Sequence, residues 1–162
     1  GAGRGTVHPA TGVRRLNVVR VEILEQPLQA ARALANCGQG ANGAIDLFVG
    51  QVRNRNDGRP VEAVSYDLHH ALCEQTFKAI CDEAAEQFGR HLDYYLAHRH
   101  GRLAIGAASV IAAVGAPHRD EAFQGCRYLI EQMKRRAPIW KQEHYADGDS
   151  EWLPGHALHQ PD

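Results

Sequence analysis

Residues 117–145 read PHRDEAFQGCRYLIEQMKRRAPIWKQEHY, and the break at Ala137-Pro138 divides this stretch into a helix and a strand. Ala122, Cys126, Leu129 and Met133 recur at three- and four-residue intervals, so a helical wheel gathers them on one core-facing side. Arg119, Phe123, Arg127, Ile130 and Lys134 form a neighbouring stripe with three cations along one edge of the core face. The residue before a proline is biased away from helical angles, so the helix predicted from about His118 closes at Arg136. Beyond it, IWKQEHY alternates as a strand does. That places Lys141 opposite Trp140, on the face of Ile139, Glu143 and Tyr145. Lys134 and Lys141 therefore stand on separate elements, on either side of a sharp break.

Outward from this unit, hydropathy periods switch repeatedly between two and 3.6 residues. From Leu16 the segment LNVVRVEILEQ alternates as a strand, and PLQAARALANCG follows as a helix with Pro27 at its start and Gly38 as its stop. AIDLFVGQV is a strand, and RNRNDGRP a polar loop whose Asp57-Gly58 pair signals a turn. VEAVSYDLHH returns as a strand. ALCEQTFKAICDEAAEQFG is an amphipathic helix closed by Gly89. HLDYYLAHRHG and AASVIAAVGAP are further strands, the second apolar enough to be central. The order β-α-β-β-α-β-β-α-β predicts an α/β (α+β) single domain with a mixed sheet and about three helices. The 162 residues, 44% of them apolar, suit one such core. Residues 1–15 read as a flexible lead-in, 16–153 as the domain, and 154–162 as a loosely held tail, with Trp152 tucking back.

Charge and composition narrow the function. A formal net charge of -1 offers no global field for nucleic acid or a membrane surface, so any anion must be met by a local cluster. No apolar run approaches the roughly 20 residues a membrane span needs, and the first residues lack the apolar middle of a secretory signal. The segment Gly38–Gly43, GQGANG, matches G-x-G-x-x-G formally, but a strand follows it where a dinucleotide site needs a helix. The four cysteines show no C-x-x-C spacing and read as reduced, half-buried thiols of a cytoplasmic protein. Among ten histidines, His98 and His100 would share one face of a strand and could pair as ligands, while His69 and His70 would face opposite ways. No third ligand is marked by spacing, and the expectation is no metal.

Cations remain the chemical signal. His118 and Arg119 sit at a helix N-terminus, where their charge is unfavourable unless an anion is held by the free N–H groups. Lys134 has a structural reason to lie in a last helical turn. A lysine desolvated beside other cations is also a usable nucleophile or proton carrier. Arg53 and Arg55 could add anion contacts. Residue pattern alone leaves two readings open, a local anion site, catalytic or not, and a set of solvated surface charges.

Taken together, GAIDLFVGQVRNRNDGRPV, AHRHGRLAIGAASV, APHRDEAFQGCRYLIEQMKRRAPIWKQE and DGDSEWL resemble the catalytic (large) subunit family of molybdopterin synthase, in unbroken order from about Leu16 to Leu153. The block Pro117–Glu143 is the most specific, because a paired-cation helix start and a K-x-x-x-P-x-W-K ending rarely coincide. The resemblance implies a hammerhead-type fold and a homodimer in the cytoplasm. Each protomer would dock a small ubiquitin-like sulfur carrier, making a heterotetramer. The carrier's C-terminal Gly-Gly thiocarboxylate would enter a pocket and pass sulfur to cyclic pyranopterin monophosphate, forming the dithiolene of molybdopterin with no cofactor. Lys134 and Lys141 match the family's catalytic lysines: Lys134 to activate or accept the acyl group, Lys141 to meet substrate charge and transfer protons. Arg53, His118 and Arg119 match its substrate-binding residues.

Some positions depart from the family pattern. Ala107 replaces a usual acidic residue, His69 and His70 replace an aromatic and its neighbours, and His156 stands nearest to a basic tail residue that reaches the neighbouring protomer's pocket. Two other functions compete: a non-catalytic paralogue that docks the carrier as a scaffold, and an unrelated phosphate-ligand-binding domain. A scaffold would keep groove and dimer surface and lose the lysines; both lysines are present.

Overall fold

A computed structural model describes residues 17–152; the lead-in, the tail and His156 lie outside the described residues. Twelve elements follow in chain order: β1 (Val19–Leu24), α1 (Ala30–Cys37), β2 (Ala44–Gln51), β3 (Arg55–Asn56), β4 (Arg59–Leu68), α2 (His70–Phe88), β5 (Asp93–Arg99), β6 (Gly101–Ala104), β7 (Ala108–Ala116), α3 (Arg119–Arg136), β8 (Ile139–Tyr145) and β9 (Ser150–Trp152).

The first sheet has the order β1-β5-β7-β2 and is mixed, with β1 parallel to β5 and the other pairs antiparallel. Its faces follow from the period-two alternation of β5 and β7. Tyr94, Leu96, Val110, Ala112 and Val114 pack toward α2 and α3 with Phe77, Ile80, Leu129 and Met133. Tyr95, Ala97, Ile111 and Ala113 pack on the other face, against Ala33 and Cys37 of α1. With both faces covered, the nearly continuous apolar run of β7 is explained. All four cysteines are buried and free, and burial pushes the Cys37 thiol up to about 11 and the other three to about 12.

The α+β architecture with three helices agrees with the sequence reading. What that reading lacks is the division of the strands: β4 leaves the mixed sheet and founds a second, antiparallel one with β3, β6, β8 and β9. This sheet has its own small core of Val52, Val61, Val64, Leu103 and Tyr145. The Asp57-Gly58 turn joins β3 to β4 with φ of 49° and 77° at its centre, the left-handed pair a two-residue hairpin requires. The first helix begins at Ala30, not Pro27, because Gln29 is still extended (φ -119°, ψ 114°). Strand β4 stops at Leu68, so His69 and His70 are not strand residues on opposite faces. His69 Nδ1 instead accepts the Leu72 N–H at 3.1 Å and caps α2.

Candidate active site

Helix α3 ends as its sequence dictates. Ala137 turns extended (φ -70°, ψ 131°) while its N–H still reaches the Met133 carbonyl, and the Pro138 carbonyl accepts the His69 N–H at 3.4 Å. The chain then enters β8, whose register against β4 sets Lys141 beside Tyr66 and Glu143 beside Val64. Ile139, Glu143 and Tyr145 are buried, Lys141 is partly buried and Trp140 is exposed, as the alternation requires.

Lys134 from the last turn of α3 and Lys141 from β8 line one cavity of about 630 Å³. Arg53 joins them from the segment after β2. Its position follows from a register slip between Gly50 and Gln51, where a Cβ on Gly50 would stand 2.6 Å from Val110 Cγ1. Beyond the slip the Val52 N–H bonds to the Ala107 carbonyl at 3.0 Å, and Arg53 emerges at the cavity wall. Arg135 adds a fourth cation, and Glu131 is the one acidic side chain in the lining among the described residues. Such a surplus of positive charge in a confined space favours anionic ligands, and a guanidinium with two ammonium groups suits phosphate and carboxylate-like groups alike.

A carboxylate the sequence reading left unassigned organises one wall. Glu143 is 4% exposed; its Oε2 accepts from Asn56 Nδ2 at 2.5 Å and Tyr145 Oη at 2.7 Å, while its Oε1 lies 3.5 Å from Lys141 Nζ. The Tyr145 phenol is raised in pKa chiefly by donating to this carboxylate. Three partners make a buried charge tolerable, and they fix the side chain against which Lys141 rests. The signal was present in sequence, since Glu143 is two residues from Lys141 on the same strand face; Asn56 lay 87 residues away and could not be linked.

Tyr66, His98 and Ser109 complete the floor. Burial raises the Tyr66 phenol, opposed by a Ser109 hydrogen bond, and lowers the His98 imidazole to about 4. His98 and His100 have different neighbours. Strand β5 ends at Arg99, His98 packs edge-on to Tyr66 with ring centroids 5.0 Å apart, and the His100 ring lies 6.4 Å from that of His70.

Two predicted site residues are elsewhere. His118 caps α3 without a side-chain hydrogen bond and Arg119 is its first residue. The fifteen positions from Arg119 to Lys134, at about 1.5 Å each, separate them by about 22 Å along the helix axis. The stripe between them is not idle: Phe123, Arg127 and Ile130, with Phe48 of β2, line an apolar groove of about 480 Å³. Phe48 and Glu131 belong to both spaces, so the groove leads to the lysine cavity. Phe123 is 57% and Phe48 38% exposed.

The fold is thus a two-sheet α+β domain with a cationic, lysine-bearing cavity at the end of an apolar groove, a setting suited to anionic groups. The profile of the MoaE protein family matches residues 23–136. The chain is 45% identical to the molybdopterin synthase catalytic subunit of Synechococcus elongatus, over 87% of this chain and 86% of that one. It is 31% identical to that of Pyrococcus abyssi, over 84% and 92%. Among solved structures, molybdopterin synthase from Staphylococcus aureus superposes with a TM-score of 0.78 at 31% identity, covering 83% of this chain and 96% of that one. A complex of subunits 1 and 2 of the molybdopterin-converting factor from Helicobacter pylori superposes with a TM-score of 0.67 at 25% identity, over 83% and 90%. The chain belongs to the MoaE family of molybdopterin synthase catalytic subunits, enzymes of molybdenum cofactor biosynthesis.

Proposed function

We propose that this chain transfers sulfur from the C-terminal thiocarboxylate of a small ubiquitin-like carrier to cyclic pyranopterin monophosphate, forming the dithiolene of molybdopterin. The observation that carries the reading is the meeting of Lys134, Lys141 and Arg53 around one cavity that an apolar groove enters. A carrier tail laid along Phe123, Ile130 and Phe48 delivers its terminal thiocarboxylate to the end of α3, beside Lys134. In each transfer the carrier's acyl–sulfur bond breaks and a carbon–sulfur bond replaces a carbon–oxygen bond of the substrate, whose oxygen leaves as water or stays on the phosphate; a water molecule then hydrolyses the acyl group, so that the carrier leaves as a carboxylate. Lys134 activates or accepts the acyl group. Lys141, steadied by Glu143, meets substrate charge and moves protons; Arg53 takes the phosphate. No step calls for a metal or organic cofactor.

His118 and Arg119 are too far from Lys134 to serve the same cavity. In the homodimer we propose, they serve the cavity of the neighbouring protomer, and with one carrier per protomer the assembly is a heterotetramer. The partner-forming complex of the Helicobacter pylori relative supports the carrier, and the exposed Ile45 and Val49 of β2, an edge strand among the described residues, support a further protein contact. His156 is kept as the tail residue proposed to approach the neighbouring pocket. Four free thiols suit a cytoplasmic location. No helix among the described residues is long and apolar enough to cross a membrane.

The test is to mix the purified chain with thiocarboxylated carrier and cyclic pyranopterin monophosphate, and to read molybdopterin as its fluorescent oxidation product. Product at up to one dithiolene per two carriers supports the reading. A carrier that binds without product supports the scaffold function instead.

A further inference from the structure

His98 is 1% exposed yet lines the lysine cavity, and its two ring nitrogens have different surroundings. Nδ1 lies 2.7 Å from the Arg99 carbonyl oxygen. A carbonyl only accepts, so Nδ1 carries the proton and Nε2 is left with its lone pair. Nε2 has no hydrogen-bond partner among the described residues, and the edge-on contact with Tyr66 restrains the ring. An acceptor at the cavity floor with no protein partner is open to a donor from a ligand or water.

The rest of the cavity sharpens the point. Arg53, Lys134, Arg135 and Lys141 can only donate, and Glu131 stands where the apolar groove joins. The floor therefore offers a neutral acceptor of fixed tautomer amid cations that recognise charge and not heterocycle shape. We infer that His98 is a substrate-binding residue whose Nε2 accepts a hydrogen bond from an N–H or O–H of the small heterocyclic substrate. This rests on the sulfur-transfer reading and assigns the neutral half of its recognition. Cations hold the phosphate, and His98 reads a donor on the fused ring system.

Two variants test it with the full chain and its carrier. His98→Phe keeps the ring against Tyr66 and removes the acceptor; His98→Gln offers a carbonyl oxygen in nearly the same place. The expected result is a KM for cyclic pyranopterin monophosphate raised about tenfold in His98→Phe and largely restored in His98→Gln, with the carrier's KM unchanged. A KM raised for the carrier alone overturns the assignment, because the donor is then an amide of the tail. An unchanged substrate KM in both variants also overturns it, as does an equal loss of kcat in both without a change in KM. Should His98→Phe not fold, the substrate KM of His98→Asn, whose shorter amide withdraws the acceptor from the cavity, decides the matter against His98→Gln. Failure of the wild-type chain to make product is a different result, since it removes the sulfur-transfer reading itself.

Discussion

The carboxylate of Glu143 lies 3.5 Å from Lys141 Nζ, on a side chain that Asn56 and Tyr145 hold from behind. A lysine in solution samples many rotamers; this one has a fixed anion to rest on at the cavity wall. Glu143→Gln keeps the shape and removes the charge. Sulfur transfer should fall about tenfold, the size of a lost charge-assisted contact. In a Lys141→Met background the same change should cost almost nothing more, and a double-mutant cycle on kcat measures this coupling. Independent effects that simply add would show that Glu143 does not act through Lys141.

Arg53→Ala should raise the KM for the phosphorylated substrate by about 10- to 100-fold while the carrier's KM stays level. Arg53→Lys should recover only part of the loss, because an ammonium cannot form two parallel bonds to a phosphate. Initial rates over a range of both substrates separate these outcomes.

Stability should depend on pH through His98. Its folded pKa of about 4 lies below the ordinary value near 6.5, so between those values the unfolded chain binds a proton that the folded chain does not. Stability from this group is therefore complete above about pH 6.5 and declines as pH falls toward 4, by an amount on the order of 3 kcal/mol. Urea unfolding of wild type and His98→Phe at intervals across that range should show wild type losing stability relative to the variant on acidification. Parallel curves would contradict the buried neutral imidazole.

Gly115 is a packing prediction independent of the chemistry. A Cβ there would meet the Cys37 carbonyl oxygen at 2.3 Å and Asn42 Nδ2 at 2.6 Å, where α1 and its following turn press on β7. Gly115→Ala should cost about 1–3 kcal/mol in a denaturation midpoint, the usual range for overpacking.

How much of this was legible beforehand depends on the range of each interaction. The end of α3 at Ala137-Pro138, the alternation of β8 and the turn at Asp57-Gly58 are local, decided by neighbouring backbone angles, and they read directly. Lys134 and Lys141 were legible as a pair because only a proline and a few residues separate them. The short strands β3, β6 and β9 were not, since two to four residues carry no period and owe their form to β4 and β8. The separation of His118 and Arg119 from Lys134 was hidden in plain view: a helical stripe aligns residues on one face and also spaces them along the axis. His98 was legible only as sharing a strand face with His100. Its burial under Tyr66 joins two sheets, which no stretch of sequence displays.

The central claim is that Lys134 acts on the carrier's acyl carbon at the end of the apolar groove. It is tested most directly by a single-turnover experiment with Lys134→Ala, thiocarboxylated carrier and cyclic pyranopterin monophosphate. Carrier binding should be retained, with the amount of molybdopterin formed falling by two orders of magnitude or more, as about 3 kcal/mol of lost transition-state stabilisation gives. Wild-type product from Lys134→Ala, with the same carrier bound, would contradict the account.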